Sequence, residues 1–176
     1  MSLLSNLSCL TSSCEDESTL FVRDVSGSYR TAEPEEVVQA ALRVLAGCMN
    51  GQEVLSSPQL VRDFLRLKLG ALEYEVFAVI HLDSQHRVID YVEMFRGTVT
   101  QAAVYPREIV KEALVRNAAA MILVHNHPSG VAEPSRADEV LTQTLKNALA
   151  LVDVRVLDHL IVAGVTMVSF AERGLL

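Results

Sequence analysis

The sequence predicts an α/β (α+β) fold, a mixed β-sheet packed by helices on both faces. Runs of strand length and runs of helical periodicity alternate from residue 34 onward. One strand run, Met121-Ile-Leu-Val124, is wholly apolar, and Glu75-Val-Phe-Ala-Val-Ile-His-Leu82 is nearly so, which suits strands covered on both faces. The third observation is size and composition. At 176 residues, 50% hydrophobic and with a mean hydropathy of +0.27, the chain has material for one well-buried domain, and wholesale disorder is not expected.

Residues 1–33 hold eight serines, the acidic cluster Glu15-Asp16-Glu17 and little periodicity, so a poorly ordered arm is expected, with Leu20-Phe21-Val22 able to add a short strand. A helical lead-in is expected over 34–70. Its first helix starts at Pro34 with Glu35 and Glu36 at the positive end of the dipole, carries Val37, Ala41, Val44, Leu45 and Cys48 on one side, and stops at Gly51. Its second runs from Ser57-Pro58 to about Leu69, with Gly70 as a C-cap. The remaining 71–176 read as the main domain. Strands at 75–82 and 88–95 flank the turn Asp83–Arg87 and form a hairpin. A helix opens at Tyr105-Pro106-Arg107-Glu108. The apolar strand at 121–124 follows, then a polar segment to Asp138, a helix to about Leu151, and strands near 154–162 and 166–170.

Charge and cysteine content narrow the function classes. Fifteen Lys and Arg against 22 Asp and Glu give a net charge of -7, and neither residues 1–70 nor 71–176 form a basic arm. Sequence-blind nucleic-acid binders depend on a surplus of phosphate-neutralising cations, so that class is disfavoured. Three cysteines, Cys9, Cys14 and Cys48, match neither a disulfide framework nor a Cys₂His₂-type zinc site and are read as reduced thiols. No membrane-spanning run or secretory leader is present, so a cytoplasmic protein without a membrane partner is expected.

The chemistry concentrates in Val124-His125-Asn126-His127-Pro128-Ser129-Gly130-Val131-Ala132-Glu133-Pro134-Ser135-Arg136-Ala137-Asp138. Histidines at i and i+2 of an extended chain share one side, roughly 6–7 Å apart along it, and can converge on one ion. Pro128 stops the strand, Ser129-Gly130 turns the chain, and Glu133-Pro134-Ser135 starts a helix whose first turn carries Asp138. That turn can bring Asp138 back as a third ligand. Three protein ligands and one open position describe a catalytic zinc rather than a structural one. Ser135-x-x-Asp138 is equally a helix-capping pattern, and the two roles are compatible.

These residues carry a resemblance. His125-x-His127-Pro128 followed by Ser135-x-x-Asp138 resembles the JAMM (MPN+) metalloprotease motif, and His125-Asn-His-Pro-Ser-Gly130 with Pro134-Ser135 is similar to its RadC branch. Phe95-Arg-Gly-Thr98, Tyr105-Pro-Arg-Glu108, Asn117-Ala-Ala-Ala120, Leu157-Asp-His159 and Val168-Ser-Phe-Ala-Glu-Arg-Gly174 extend the likeness over about residues 57–176. The resemblance implies a JAMM/MPN-type three-layer fold, a curved mixed sheet flanked by helices with zinc at its edge. It implies one zinc per chain on His125, His127 and Asp138. Its fourth catalytic group is a glutamate at the head of an apolar strand, a form that Glu75-Val-Phe-Ala-Val-Ile80 fits, with Glu93 and Glu73 as alternatives. The glutamate would act as general base and then acid, and Ser135 would donate to the oxyanion. Full-length RadC proteins carry a helix-hairpin-helix region; residues 1–56 show no such Gly-centred hairpin, so a compact form is expected.

Of the other polar residues, His81 and His86 read as packed or surface groups, and His159 as a structural hydrogen-bonding residue, the alternative being contact with the site. Asn126 is expected to point away from the ligands, and Arg96 and Arg107 are candidates for a substrate carboxylate or phosphate. The function expected is a zinc-dependent hydrolase in which a zinc-activated water attacks a peptide or isopeptide bond of a peptide or protein substrate. The alternatives are a DNA repair-associated factor or nuclease, for which a single metal and a net charge of -7 are poorly suited, and a binding module that retains the metal site. Direct DNA binding and oligomeric state stay open.

Overall fold

The structure, a computed structural model, describes residues 19–50, 58–97 and 103–176. Cys9, Cys14, the Glu15–Glu17 cluster, the helix stop at Gly51 and Thr98 lie outside the described residues. The chain divides into two compact units, one up to Ala40 and one from Ala41. In the first, β1 (Phe21–Arg23) and β2 (Tyr29–Thr31) pair antiparallel around a turn whose Asp24 carboxylate accepts from the N–H groups of Ser26 and Ser28 at 2.8 and 3.0 Å. The arm expected over residues 1–33 therefore holds a hairpin at 21–31, of which the sequence pattern suggests only the first strand. Helix α1 (Pro34–Met49) begins in this unit and ends in the next.

The second unit contains α2 (Pro58–Leu69), β3 (Val76–Leu82), β4 (Val88–Arg96), α3 (Pro106–Val115), β5 (Ala120–Asn126), α4 (Arg136–Ala150), β6 (Arg155–Ala163) and β7 (Thr166–Ser169). The five strands form one mixed sheet in the order β4-β3-β5-β6-β7. β3 pairs antiparallel with β4 and β5, β6 with β7, and β5 runs parallel to β6. A parallel neighbour requires a long crossover, and α4 supplies it. All seven residues of β3 and of β5 are buried, as their apolar runs predict.

Side-chain alternation sorts these strands into two cores. Val76, Ala78, Ile80 and Leu82 of β3 join Ile122 and Val124 of β5 against Val61, Phe64, Leu65 and Leu69 of α2. Phe77 and Val79 join Met121 and Leu123 on the other face, against Ile109 and Ala113 of α3 and Leu145 and Leu149 of α4. The result is three layers, with helix on each side of the sheet. Helix α2, expected within a lead-in, is one of those layers. Its end is fixed by close backbone approach: a Cβ on Gly70 would meet the Gly164 carbonyl oxygen of the β6–β7 turn at 2.5 Å and that of Arg66 at 2.6 Å. Among the described residues no helix is long and apolar enough to cross a membrane.

One irregularity matters for the site. Met121 pairs with Val156 but Ile122 with Asp158, so Leu157 is an extra residue in β6. Inserting one residue reverses the inward and outward sense of everything after it. Val156 belongs to the α4 face, yet Leu160 and Val162 lie on the α2 face, which sends His159 towards α4. Asp158 stabilises the irregularity by accepting from the N–H groups of His159 (2.7 Å) and Ala171 (2.9 Å) and from the Ser169 hydroxyl (2.6 Å).

Candidate metal centre

The odd-numbered face of β5 runs from Met121 and Leu123 to His125, and His125 stacks on Phe77 with ring centroids 6.3 Å apart. His127 follows two residues on, held at the strand's end by its N–H donating to the Val162 carbonyl at 2.8 Å. The turn after it closes with the Gly130 N–H on the His127 carbonyl at 3.1 Å. It needs φ +78° at Gly130, a region that favours glycine. Helix α4 faces the same side of the sheet and starts with Ser135 as N-cap. Its first turn thus delivers Asp138 to the two imidazoles.

His125 Nε2 lies 2.9 Å from His127 Nε2 and 3.3 Å from Asp138 Oδ1, and His127 Nε2 lies 3.6 Å from Asp138 Oδ2. Ligand atoms about 2.0–2.1 Å from a tetrahedral zinc sit about 3.3–3.4 Å from one another; one donor atom from each of the three residues lies within 4.8 Å of the others, close enough for one ion to draw them together. The chemistry of the donor set agrees. His127 Nδ1 donates to the Val131 carbonyl at 2.7 Å, which leaves Nε2 with its lone pair towards the cluster. Asp138 offers only acceptors, so the converging atoms call for a shared proton or a cation. The two carboxylate oxygens divide their tasks. Oδ2 accepts from the Ser135 N–H at 2.7 Å and the Ser135 hydroxyl at 2.6 Å, while Oδ1 is directed at His125. The Ser135 oxygen also accepts from the Asp138 N–H at 3.2 Å, completing a capping box. The capping box leaves Asp138 Oδ1 directed at His125, so capping is compatible with a ligand role, as the motif allows.

Electrostatics follow the same geometry. Burial opposes ionisation of Asp138, but its interactions with His125 and His127 outweigh burial and hold the carboxyl well below the usual carboxylate range. Hydrogen bonding to Asp138 raises the proton affinity of His127 against the cost of burial, with a smaller contribution from the charge of Glu75. Burial pushes His159 well below the ordinary imidazole range.

The family model of the RadC-like JAB domain matches residues 55–175. The chain belongs to this family. Among the curated relatives, the UPF0758 protein of Leptothrix cholodnii is 61% identical over 150 residues, covering 85% of this chain and 68% of its own length. The UPF0758 proteins of Methylibium petroleiphilum and Nitrosomonas eutropha are 61% and 59% identical over 150 residues, covering 85% of this chain and 68% and 67% of their own lengths. The JAB-domain match takes in α2, which agrees with that helix's place in the core.

The other expected site residues divide. Glu75 directly precedes β3, and continuing the Phe77–His125 register by two residues sets it opposite His127. Its carbonyl accepts from the Gly97 N–H at 2.8 Å. Glu93 is engaged elsewhere, 2.9 Å from Lys68 Nζ, and Glu73 is exposed. Asn126 does point away from the ligands, but its role is more specific than packing: its amide oxygen accepts from the Val76 N–H at 2.7 Å and its amide nitrogen donates to the Tyr74 carbonyl at 3.0 Å, gripping the chain on both sides of Glu75. Arg96 lies over the Tyr74 ring at 3.5 Å, and Arg107 is exposed beside Glu108 at 3.3 Å. His81 is buried, and His86 meets Arg155 at 2.8 Å. His159, given mainly a structural role by the sequence, reaches the site: its Nε2 is 2.8 Å from His125 Nδ1. Thr142, which no motif signals, is 2.6 Å from the other ring nitrogen of His159. Its spacing of four residues from Asp138 on α4 is the available clue.

Proposed function

We propose that this RadC-like JAB domain is a zinc-dependent metallohydrolase that cleaves peptide or isopeptide bonds. The observation that carries the reading is the convergence of His125 Nε2, His127 Nε2 and an Asp138 carboxylate oxygen within 4.8 Å of one another, on the face and at the strand end where Glu75 stands. Zinc, when bound, supplies a Lewis acid for the scissile carbonyl and acidifies water. His125, His127 and Asp138 would hold it. Glu75 takes a proton from the attacking water and returns it to the leaving amine. The Ser135 hydroxyl, at the start of α4, donates to Asp138 Oδ2 in the resting site and would turn its proton to the oxygen that gains charge at the carbonyl. A shallow, open apolar depression lined by Val104, Pro106, Ala137, Val140 and Leu141, with Arg136 at its side, runs along the first turns of α4 and offers surface on which substrate side chains can rest.

The test combines metal analysis with cleavage profiling of whole-proteome peptides and a DNA panel alongside. Wild type should carry one zinc, His127→Ala none, and Glu75→Gln one zinc without turnover. A wild-type protein without metal in zinc-replete buffer overturns the site; cleavage of DNA but not of peptides overturns the substrate class.

A further inference from the structure

We propose that His159 and Thr142 are positioning residues for His125: a hydrogen-bond chain that fixes its tautomer and ties it to the helix carrying Asp138. This rests on the metal-centre reading above and assigns a task to two residues outside the ligand set.

The proton directions can be worked out from one fixed point. The Thr142 hydroxyl lies 2.6 Å from the Asp138 backbone carbonyl, and a carbonyl can only accept. The hydroxyl proton is therefore spent there. The Thr142 oxygen also lies 2.6 Å from His159 Nδ1, and with its proton committed it must accept from an Nδ1–H. A neutral imidazole carries one N–H, so His159 Nε2 is bare. That bare nitrogen faces His125 Nδ1 at 2.8 Å and accepts its proton. His125 Nε2 is then left unprotonated, and it is the atom directed at His127 Nε2 and Asp138 Oδ1. A backbone carbonyl of α4 thus determines, through two side chains, which nitrogen His125 presents to a metal.

Packing locks the chain. His159 is fully buried, between Phe77 at 5.8 Å and Phe170 at 4.8 Å between ring centroids, so a ring flip would strand both nitrogens. Thr142 is also buried. The links run from β5 through β6 to α4 and close on Asp138, so the three elements that supply or support ligands are held by one cycle. His127 is fixed more simply, by donating Nδ1–H to the Val131 carbonyl, which reserves its Nε2 for a metal or, without one, for the proton the cluster shares. Outer partners of this kind tune metal affinity by about 10–100-fold.

The experiment uses the full chain, ¹⁵N-labelled, in metal-free and zinc-titrated forms. Long-range ¹H–¹⁵N spectra read the tautomers, and competition with a chromophoric chelator reads zinc affinity. Metal-free wild type should show Nδ1–H, Nε2-bare patterns for both His125 and His159. Thr142→Val, which deletes one hydroxyl at nearly constant volume, should mix the tautomers of both rings and weaken zinc binding about 10-fold. Thr142→Ser should restore both. His159→Phe should weaken binding about 100-fold, with His159→Gln, which keeps an acceptor, falling between. The proposal is overturned if wild-type His125 carries its proton on Nε2. It is equally overturned if folded Thr142→Val keeps wild-type tautomers, or if its affinity falls without rescue by serine. Should wild type take up no zinc, the metal reading fails, while the tautomer pattern still decides the hydrogen-bond chain on its own. If His159→Phe does not fold, the Thr142 pair and the wild-type spectrum decide between the outcomes.

Discussion

The Asn126 side chain replaces the last rung of the β3–β5 ladder: its amide oxygen accepts the Val76 N–H at 2.7 Å where a backbone carbonyl would otherwise stand. Asn126 lies between His125 and His127, and Val76 directly follows Glu75, so the contact ties the proposed general base to the ligand strand. Asn126→Leu leaves the buried Val76 N–H without its partner. The expected result is a loss of ~1–3 kcal/mol in urea unfolding. Turnover should fall in the variant while zinc stoichiometry is kept, because Glu75 loses its anchor and the ligands do not. Unchanged turnover alongside reduced stability would confine Asn126 to a structural role.

Ser135 serves the α4 N-terminus and, in the proposed reaction, the oxyanion. Ser135→Ala should cost ~1 kcal/mol through the lost cap and about 10²–10³-fold in kcat through the lost donor. Ser135→Thr, which keeps the hydroxyl, should recover most of both. Denaturant titration and steady-state kinetics separate the two effects.

Metal binding should appear as stability. A ligand that binds only the folded chain adds ~2.7 kcal/mol when its free concentration is 100 times Kd. Zinc should raise the Tm of wild type and of Glu75→Gln, and chelation should reverse it. His127→Ala should show no zinc-dependent shift. Differential scanning calorimetry with and without zinc checks this.

His81 predicts an acid sensitivity. It is fully buried on β3, and both ring nitrogens lack a hydrogen-bond partner. Burial, aided by the Arg116 charge, lowers it from 6.5 to about 4. Between those values the unfolded chain binds the proton and the folded chain does not, so stability rises with pH across the window and is lost as pH falls through it. The loss attributable to this residue approaches ~3 kcal/mol by pH 4. His81→Leu should flatten that part of the profile. Urea titrations at pH 7 and pH 4.5, compared between the two proteins, give the difference; equal slopes would refute it.

Gly70→Ala should destabilise the domain by ~1–3 kcal/mol, because the new methyl meets two backbone carbonyls that cannot rotate away. Substitution at Gly47, where an added Cβ meets nothing within 4 Å, is the control.

Much of the fold was legible because its strands and helices differ in period. Pro34 and Pro58 open helices as expected, and the apolar runs at 76–82 and 120–126 are strands. The hairpin at 21–31 was only half visible, since its second strand, Tyr29-Arg-Thr31, is exposed throughout and carries no alternation to read. The capping box at Ser135 and Asp138 was local and therefore readable. The task of His159 was not. Its direction depends on the extra residue Leu157 in β6, and a bulge leaves no mark in composition or periodicity.

The sequence by itself determined the candidate ligand types and their order: two histidines of one parity on an extended chain, then an aspartate in the first turn of a capped helix. Those are local relationships, set by the pitch of a strand and the turn of a helix. The tertiary structure alone set the β3–β5 register which, continued past Phe77 and His125, puts Glu75 opposite His127. It also decided that Asn126 grips the chain beside Glu75, and that His159 and Thr142 stand behind His125. These depend on pairing register and on one bulge, which join residues 17 to 52 positions apart in the chain. Strand register is a property of the assembled sheet, settled by which faces the helices bury.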